Sequence, residues 1–300
     1  MRIREGHLIG EAPAGIRTRL LGYLAQQANT DAFAGPDIFY VALMAGPSFF
    51  AEDDRVKDSA PGEKAGDVPW MRAIDASTDL PSAMAEAKGT GATAIKVYAN
   101  LPANLVQTIV AEAHRQGLRV WTHATIFPAK PSDAVAAGAD TISHSPYLVW
   151  EAAPKVPDDY GARTRGDFAH IRPDAPQILA LFDAMKQRGT ILDATLHVFE
   201  DIAARHPDKV AAGIMPWSYA VTKLAHERGV PIDAGTDSDG LPDDAHYIPN
   251  LKAMPLVHAE MALLVEHAGF TPLEAIHAAT QVGAMAQGQS DTRGTMARGM

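Results

Sequence analysis

The chain has 300 residues and a formal net charge of −10, with 26 basic and 36 acidic side chains. It contains no cysteine, which excludes disulfide scaffolds, thiolate zinc sites, iron–sulfur clusters and thiol nucleophiles. An acidic chain without a basic run is a poor partner for nucleic acid or anionic membranes. The start MRIREGHLIGEAPAG has no apolar core like that of a signal peptide, so we expect a cytoplasmic protein.

The order of elements predicts an α/β fold. A helix over Ala14–Gln27 and a strand over residues 37–44 come first. A helix that ends in glycine and runs directly into a short apolar stretch then recurs five times, in AEAKGTGATAIKVYA, AEAHRQGLRVWTHA, SDAVAAGADTISHS, DAMKQRGTILDATL and LAHERGVPIDAGTD. Glycine just past a helix C-terminus adopts positive φ without strain. Continuous apolar runs are typical of parallel strands that are buried on both faces.

Three helices carry start signals. Asp79 precedes one helix, and a second is expected from Pro102 to Gln116, with its proline in the first turn. A third opens at Thr271, where Glu274 supplies the capping-box partner.

Six strands are expected, starting near residues 38, 93, 118, 140, 190 and 230. No glycine-rich dinucleotide loop follows any of them, which favours a (β/α)₈ barrel over an open sheet. We expect a single barrel domain over residues 1–300, two strands short of eight. The segments 46–78 and 145–173 follow strand C-termini, where barrel enzymes place their active-site loops.

Four polar residues lie at or near the ends of different strands. They are Lys96 in AIKVY, His123 in VWTHA, His144 in TISHS and Asp237 in DAGTD. Each has a structural explanation when taken alone, since a single strand histidine is usually a hydrogen-bonded core residue and an aspartate in such a turn is usually turn chemistry. Parallel strand ends converge on one face of a barrel, however, so the four together predict a metal or catalytic site.

The set resembles the amidohydrolase superfamily of metal-dependent hydrolases, in its imidazolonepropionase-like and prolidase-like branch. The matching segments are GATAIKVYA, GLRVWTHA, GADTISHS, GVPIDAGTDS and HAEMALLVEHAGFTPLEAIHAAT. The resemblance implies a TIM-like barrel. It also implies that a CO₂-derived carbamate on Lys96 bridges two divalent ions, with zinc expected, and that His123 and His144 bind the second ion. Asp237 matches the aspartate that contacts the first ion and moves a proton.

The chain departs from that family at both ends. The family carries a His-x-His pair after its first strand, and this sequence contains none. The family also has a small β-sandwich made from both termini, for which this sequence shows no counterpart. We therefore expect an incomplete barrel that lacks its first strands, with one or two ions per chain and only the second metal site intact.

The resemblance implies hydrolysis of a carbon–nitrogen bond, in an amide, cyclic amide or dipeptide, by a metal-activated water. Tyr98 and His197 are candidate contacts for a small-molecule substrate. Two alternatives stay open: a non-catalytic truncated barrel without the first metal site, and a Schiff-base lyase that uses Lys96. Unpaired strand edges of an incomplete barrel would favour homo-oligomers.

Overall fold

The computed structural model describes residues 38–58, 60, 62–237 and 256–296. They fall into two compact units, one comprising the chain up to Asp140 with Lys155–Ala162, the other Thr141–Pro154 with the chain from Arg163 onward. Both units alternate strands with helices. The predicted helix Ala14–Gln27 and the predicted absence of the first strands concern residues outside the described ranges, and the single barrel domain stays a prediction.

The first unit is built on five strands in its described part. They are β1 (Val41–Ala45), β2 (Asp67–Val68), β3 (Met71–Ala73), β4 (Ala94–Val97) and β5 (Arg119–His123). β1 lies between β3 and β4, β5 pairs with the other side of β4, and all four are parallel. β2 pairs antiparallel with β3. All four residues of β4 are buried, as expected for a strand covered on both faces.

Helices follow the strands of this unit. They are α1 (Pro47–Glu52), α2 (Arg55–Asp58), α3 (Leu80–Gly89), α4 (Ala103–Arg115) and α5 (Pro131–Ala137), with a 3₁₀ turn at Tyr160–Ala162. Asp79 caps α3 as predicted, and its carboxylate accepts the Ser82 N–H at 3.2 Å. α4 packs through an apolar stripe at helical spacing, formed by Val106, Ile109, Val110 and Ala113.

The segment 46–78, predicted as a long active-site loop, includes helices and strands. It contains α1, α2, β2 and β3, and β3 adds a parallel strand to the outer edge of β1. β2 and β3 have two and three residues, and unlike the equally short β6 to β8 they do not directly follow a helix that ends in glycine. A paired outer edge on β1 also leaves fewer open backbone groups in this unit.

The second unit contains three parallel strands in its described part, β6 (Thr141–Ser143), β7 (Ile191–Asp193) and β8 (Ile232–Asp233). All six predicted strands are therefore confirmed. The helices are α6 (Pro176–Arg188), α7 (Leu196–Arg205), α8 (Ile214–Glu227), α9 (Leu256–His267), α10 (Pro272–His277) and α11 (Gly283–Ala286), with 3₁₀ segments at Ser145–Glu151 and Pro207–Lys209 and a π-helical turn at Ala278–Val282.

The predicted helix ends and starts are confirmed. Gly138 and Gly189 close α5 and α6 with φ of 99° and 73°. Thr271 and Glu274 form the capping box of α10, in which the Thr271 N–H donates to the Glu274 carboxylate at 2.8 Å. Within the described residues, no helix is both long and apolar enough to cross a membrane.

Gly46 provides a test of how tightly the ends of β1 and β4 approach each other. Its N–H donates to the Ala99 carbonyl at 2.8 Å, and a Cβ added there would lie 1.9 Å from the Asn100 carbonyl oxygen. We expect Gly46→Ala to lower the free energy of unfolding by about 1–3 kcal/mol, because the backbone must move apart. Urea unfolding followed by circular dichroism measures the change.

The matched control is Gly89→Ala at the end of α3. A Cβ there meets nothing within 4 Å. We expect this variant to be neutral or more stable by up to about 1 kcal/mol, since alanine is the better helix former. Equal unfolding midpoints for the two alanine variants would contradict the close approach at Gly46.

Candidate active site

The first unit presents two of the four predicted metal ligands, Lys96 and His123, on one face of its sheet. Lys96 lies opposite Trp121 in the register of β4 and β5. Because side chains alternate along a strand, Lys96 and Tyr98 face the same side as Trp121 and His123. Lys96 is 4% exposed and His123 is 0% exposed. Burial of an ammonium is costly, so this position favours a lysine whose charge is altered or compensated.

Aromatic rings surround the His123 imidazole. The Tyr98 ring lies 4.0 Å from it between centroids, and the Tyr160 ring is stacked on it at 5.2 Å with a 12° interplanar angle. The Tyr160 hydroxyl donates to the Tyr98 hydroxyl at 3.4 Å, and the Tyr160 N–H donates to the Asn100 side-chain oxygen at 2.9 Å. Ring packing therefore sets the plane of the imidazole and limits access of water to it.

The second unit brings together the other two predicted metal ligands, His144 and Asp237. His144 directly follows β6, and its Nε2 lies 3.9 Å from Oδ2 of Asp237. Its Nδ1 is 2.8 Å from the Thr195 hydroxyl oxygen, and its backbone N–H donates to the Asp193 carbonyl at 2.8 Å. The His144 side chain is 4% exposed, whereas that of Asp237 is 30% exposed. A buried imidazole thus faces a carboxylate that solvent can reach.

Strained backbone marks the ends of the later strands. Five described residues other than glycine have positive φ, and each follows the C-terminal end of a different strand from β4 to β8. They are Asn100 at 55°, Phe127 at 55°, His144 at 81°, Thr195 at 49° and Asp237 at 49°. Such a conformation costs about 1–3 kcal/mol and persists only where the surroundings impose it, often at functional sites.

Gly235 is required by its neighbour on β7. Asp193 and Asp233 lie opposite each other in the register of β7 and β8, and both are buried. A Cβ on Gly235 would lie 2.1 Å from Oδ1 of Asp193. Only glycine leaves room for that carboxylate, so the chain can pass over Asp193 on its way to Asp237.

The side chain of Glu260, a residue of α9, contacts the first residues of α7. Its two carboxylate oxygens accept the backbone N–H groups of Leu196 at 2.9 Å and His197 at 2.7 Å. Burial raises the pKa of Glu260 to about 8, and the nearby Asp233 and Glu200 carboxylates act in the same direction. The two N–H groups oppose the shift because they stabilise the ionised form. The side chain of His197 is half-buried in the first turn of α7, and its role in substrate binding stays a prediction.

Thr195 and Tyr160 were not predicted from the sequence, whereas Glu260 was expected to make a structural hydrogen bond, as it does. Thr195 and Glu260 contact their partners across separations of 51 and 64 residues, and Tyr160 lies 62 residues from Tyr98. Each belongs to a residue type that is common in turns, helices and loops. The family-like segment HAEMALLVEHAGF was the one available signal, and it pointed to a structural hydrogen bond for Glu260.

The donors of the second unit fit part of a metal site. His144 and Asp237 offer an imidazole nitrogen and a carboxylate oxygen 3.9 Å apart. Two ligands at about 2.0–2.2 Å from one zinc ion are separated by roughly 3–4 Å, so this pair can share an ion. Among the described residues, no group of three or more histidine, aspartate or glutamate side chains is arranged to hold one.

Comparison with protein-family models assigns the chain to a family. The model of the amidohydrolase family matches residues 25–300. The chain belongs to the amidohydrolase family. No curated protein matches it significantly. The family match confirms the resemblance based on the strand-end segments.

Solved structures show the same fold at low identity. A Xaa-Pro dipeptidase with methionine bound in its active site has a TM-score of 0.67 at 22% identity, with 95% of this chain and 66% of that chain covered. Ochratoxinase from A. niger has a TM-score of 0.64 at 21% identity, covering 93% and 61%. Molinate hydrolase has a TM-score of 0.61 at 15% identity, covering 94% and 66%. The chain thus spans just under two thirds of these amidohydrolase-fold proteins, and the predicted α/β fold class is confirmed.

The raised pKa of Glu260 makes a prediction about stability and pH. Between pH 5 and its folded pKa of about 8, the folded protein keeps the proton that the unfolded chain releases. The free energy of unfolding therefore falls with rising pH, by up to about 1.4 kcal/mol per pH unit from this group. We expect Glu260→Gln to remove this contribution, as measured by urea unfolding at about pH 5, 6, 7 and 8.

Glu266→Gln, an exposed change on the same helix, is the control and should keep the slope of the wild-type protein. An unchanged slope in Glu260→Gln would mean that Glu260 titrates like an ordinary exposed glutamate.

Proposed function

We propose that this amidohydrolase hydrolyses a carbon–nitrogen bond of a small molecule, in an amide, cyclic amide or dipeptide. The observation that carries the proposal is the pair of His144 Nε2 and Asp237 Oδ2 in the second unit, 3.9 Å apart at two strand ends with positive φ. Family membership supports it, and so do the names of the similar structures, a dipeptidase, an ochratoxinase and a molinate hydrolase.

The proposal includes a divalent metal, with zinc the first candidate. His144 and Asp237 of the second unit are proposed ligands, as are His123 and a carbamate on Lys96 in the first unit. When bound, such an ion lowers the pKa of a water molecule and polarises the scissile carbonyl. A carbamate on Lys96 would turn a buried cation into an oxygen ligand, which agrees with the 4% exposure of that side chain.

Asp237 is proposed as the group that moves the proton. Its side chain is 30% exposed, so a water molecule can reach the carboxylate. The carboxylate takes a proton from the attacking water and gives it to the nitrogen that leaves, while the carbon–nitrogen bond breaks. The backbone of Asp237, with φ of 49°, points this side chain back toward His144. Tyr98 and His197 are the proposed substrate contacts.

The burial of Lys96 is also compatible with a Schiff-base lyase, in which a desolvated lysine attacks a carbonyl carbon. That alternative gives no role to the His144 and Asp237 pair. Borohydride trapping of a ketone on Lys96 would support it over hydrolysis.

Metal content tests the ligand set. The full chain is purified with zinc and bicarbonate, and bound metal is measured by elemental mass spectrometry. We expect at least about one ion per chain, lost in His144→Ala because that variant removes an imidazole ligand. The control is His170→Ala, whose side chain is 84% exposed and is bonded to Asp167. A folded wild-type chain without metal would favour the non-catalytic alternative.

Activity tests the role of Asp237. Dipeptides that end in proline, N-acyl amino acids, lactams and cyclic imides form the substrate panel. We expect Asp237→Asn to reduce kcat by about 10²–10⁴-fold with a small change in KM, because the amide cannot accept the proton. Asp167→Asn, at an exposed aspartate, is the control. Equal kcat values for the Asp237→Asn variant and the wild-type enzyme would remove Asp237 from the proposed mechanism.

A further inference from the structure

The Thr195 hydroxyl makes two hydrogen bonds that together determine where the His144 proton lies. The hydroxyl donates its one hydrogen to the Ala194 carbonyl at 2.9 Å. The same oxygen lies 2.8 Å from Nδ1 of His144. With the hydroxyl hydrogen directed at the Ala194 carbonyl, the oxygen accepts from Nδ1. A neutral His144 therefore carries its proton on Nδ1, and the lone pair of Nε2 faces Asp237.

The position of Thr195 depends on the start of α7. Thr195 is the residue before this helix and has a left-handed backbone, with φ of 49° and ψ of 43°. A branched side chain rarely adopts this conformation, so something else must impose it. The next two N–H groups, of Leu196 and His197, both donate to Glu260, which is 0% exposed. Glu260 thus anchors the helix start on which Thr195 depends.

We propose that Thr195 and Glu260 are positioning residues that keep neutral His144 in its Nδ1–H tautomer. The contacts run without a break from the Glu260 carboxylate to the first turn of α7, then to the Thr195 hydroxyl and the imidazole. The importance of this tautomer rests on the proposed function, since only a nitrogen with a free lone pair can bind a cation. The tautomer assignment does not rest on the proposed function, because it is argued from the contacts of the Thr195 hydroxyl with the Ala194 carbonyl and Nδ1 of His144.

The test is nitrogen NMR of the metal-free full chain with ¹⁵N-labelled histidine, at a pH where His144 is neutral. The His144 signals are assigned by their loss in His144→Gln. We expect Nδ1 to resonate as a protonated nitrogen and Nε2 as one with a lone pair. In Thr195→Val the two shifts should move toward a common average, and Thr195→Ser, which keeps the hydroxyl, should restore the wild-type values. Glu260→Gln should give an intermediate change, because an amide oxygen replaces only one acceptor.

Asp79→Ala is the control for a general loss of stability, because it removes the cap of α3 in the first unit. It should leave the His144 signals unchanged. A wild-type proton on Nε2, or unchanged shifts in Thr195→Val, would overturn the proposal.

A second readout is zinc affinity. Thr195→Val should weaken it by about 10–100-fold and Thr195→Ser by much less. If the Nδ1–H tautomer is observed but the protein neither binds zinc nor hydrolyses any substrate, the proposed function fails and the positioning role stands. If zinc binds and the proton lies on Nε2, the positioning role fails and the proposed function stands.

Discussion

The backbone at the ends of the parallel strands is the constraint on which the candidate site depends. A parallel strand must leave its sheet and turn toward a helix, and its last N–H and C=O groups need partners on the way. In both units the ladder of hydrogen bonds continues past the regular strands. Asn100 donates to the Ile126 carbonyl at 2.7 Å in the first unit, and Ser145 donates to the Ala194 carbonyl at 3.1 Å in the second. These bonds hold residues with positive φ that would otherwise relax.

That constraint explains how a polar side chain at a strand end is held in one orientation. A residue that follows a strand on a relaxed loop would sample several orientations, whereas His144 is fixed by its backbone bond to Asp193 and by its ring nitrogen. The surrounding hydrogen bonds stabilise the fold, and the strained backbone offsets part of that stabilisation. Fold stability and site geometry are therefore coupled in this chain. A substitution that relieved the strain would also allow the side chain to move.

Much of the fold follows from local sequence features, and much of the site does not. Glycines after helices and apolar runs predicted six of the eight described strands, because both signals depend on a few adjacent residues. β2 and β3 escaped detection because neither directly follows a helix that ends in glycine. Lys96, His123, His144 and Asp237 could be singled out as polar residues at the ends of apolar runs. Thr195 and Tyr160 could not, since each acts through a contact more than 50 residues away.

The two histidines show that the same side chain can be oriented by different forces. His123 is oriented by ring packing, with Tyr98 and Tyr160 against its faces. Ring packing of this kind constrains the plane of the imidazole. His144 is oriented by a directional hydrogen bond between its Nδ1 and the Thr195 hydroxyl, which also contacts the Ala194 carbonyl. A hydrogen bond of this kind selects one nitrogen as donor, and it therefore sets the chemistry of the imidazole as well as its position.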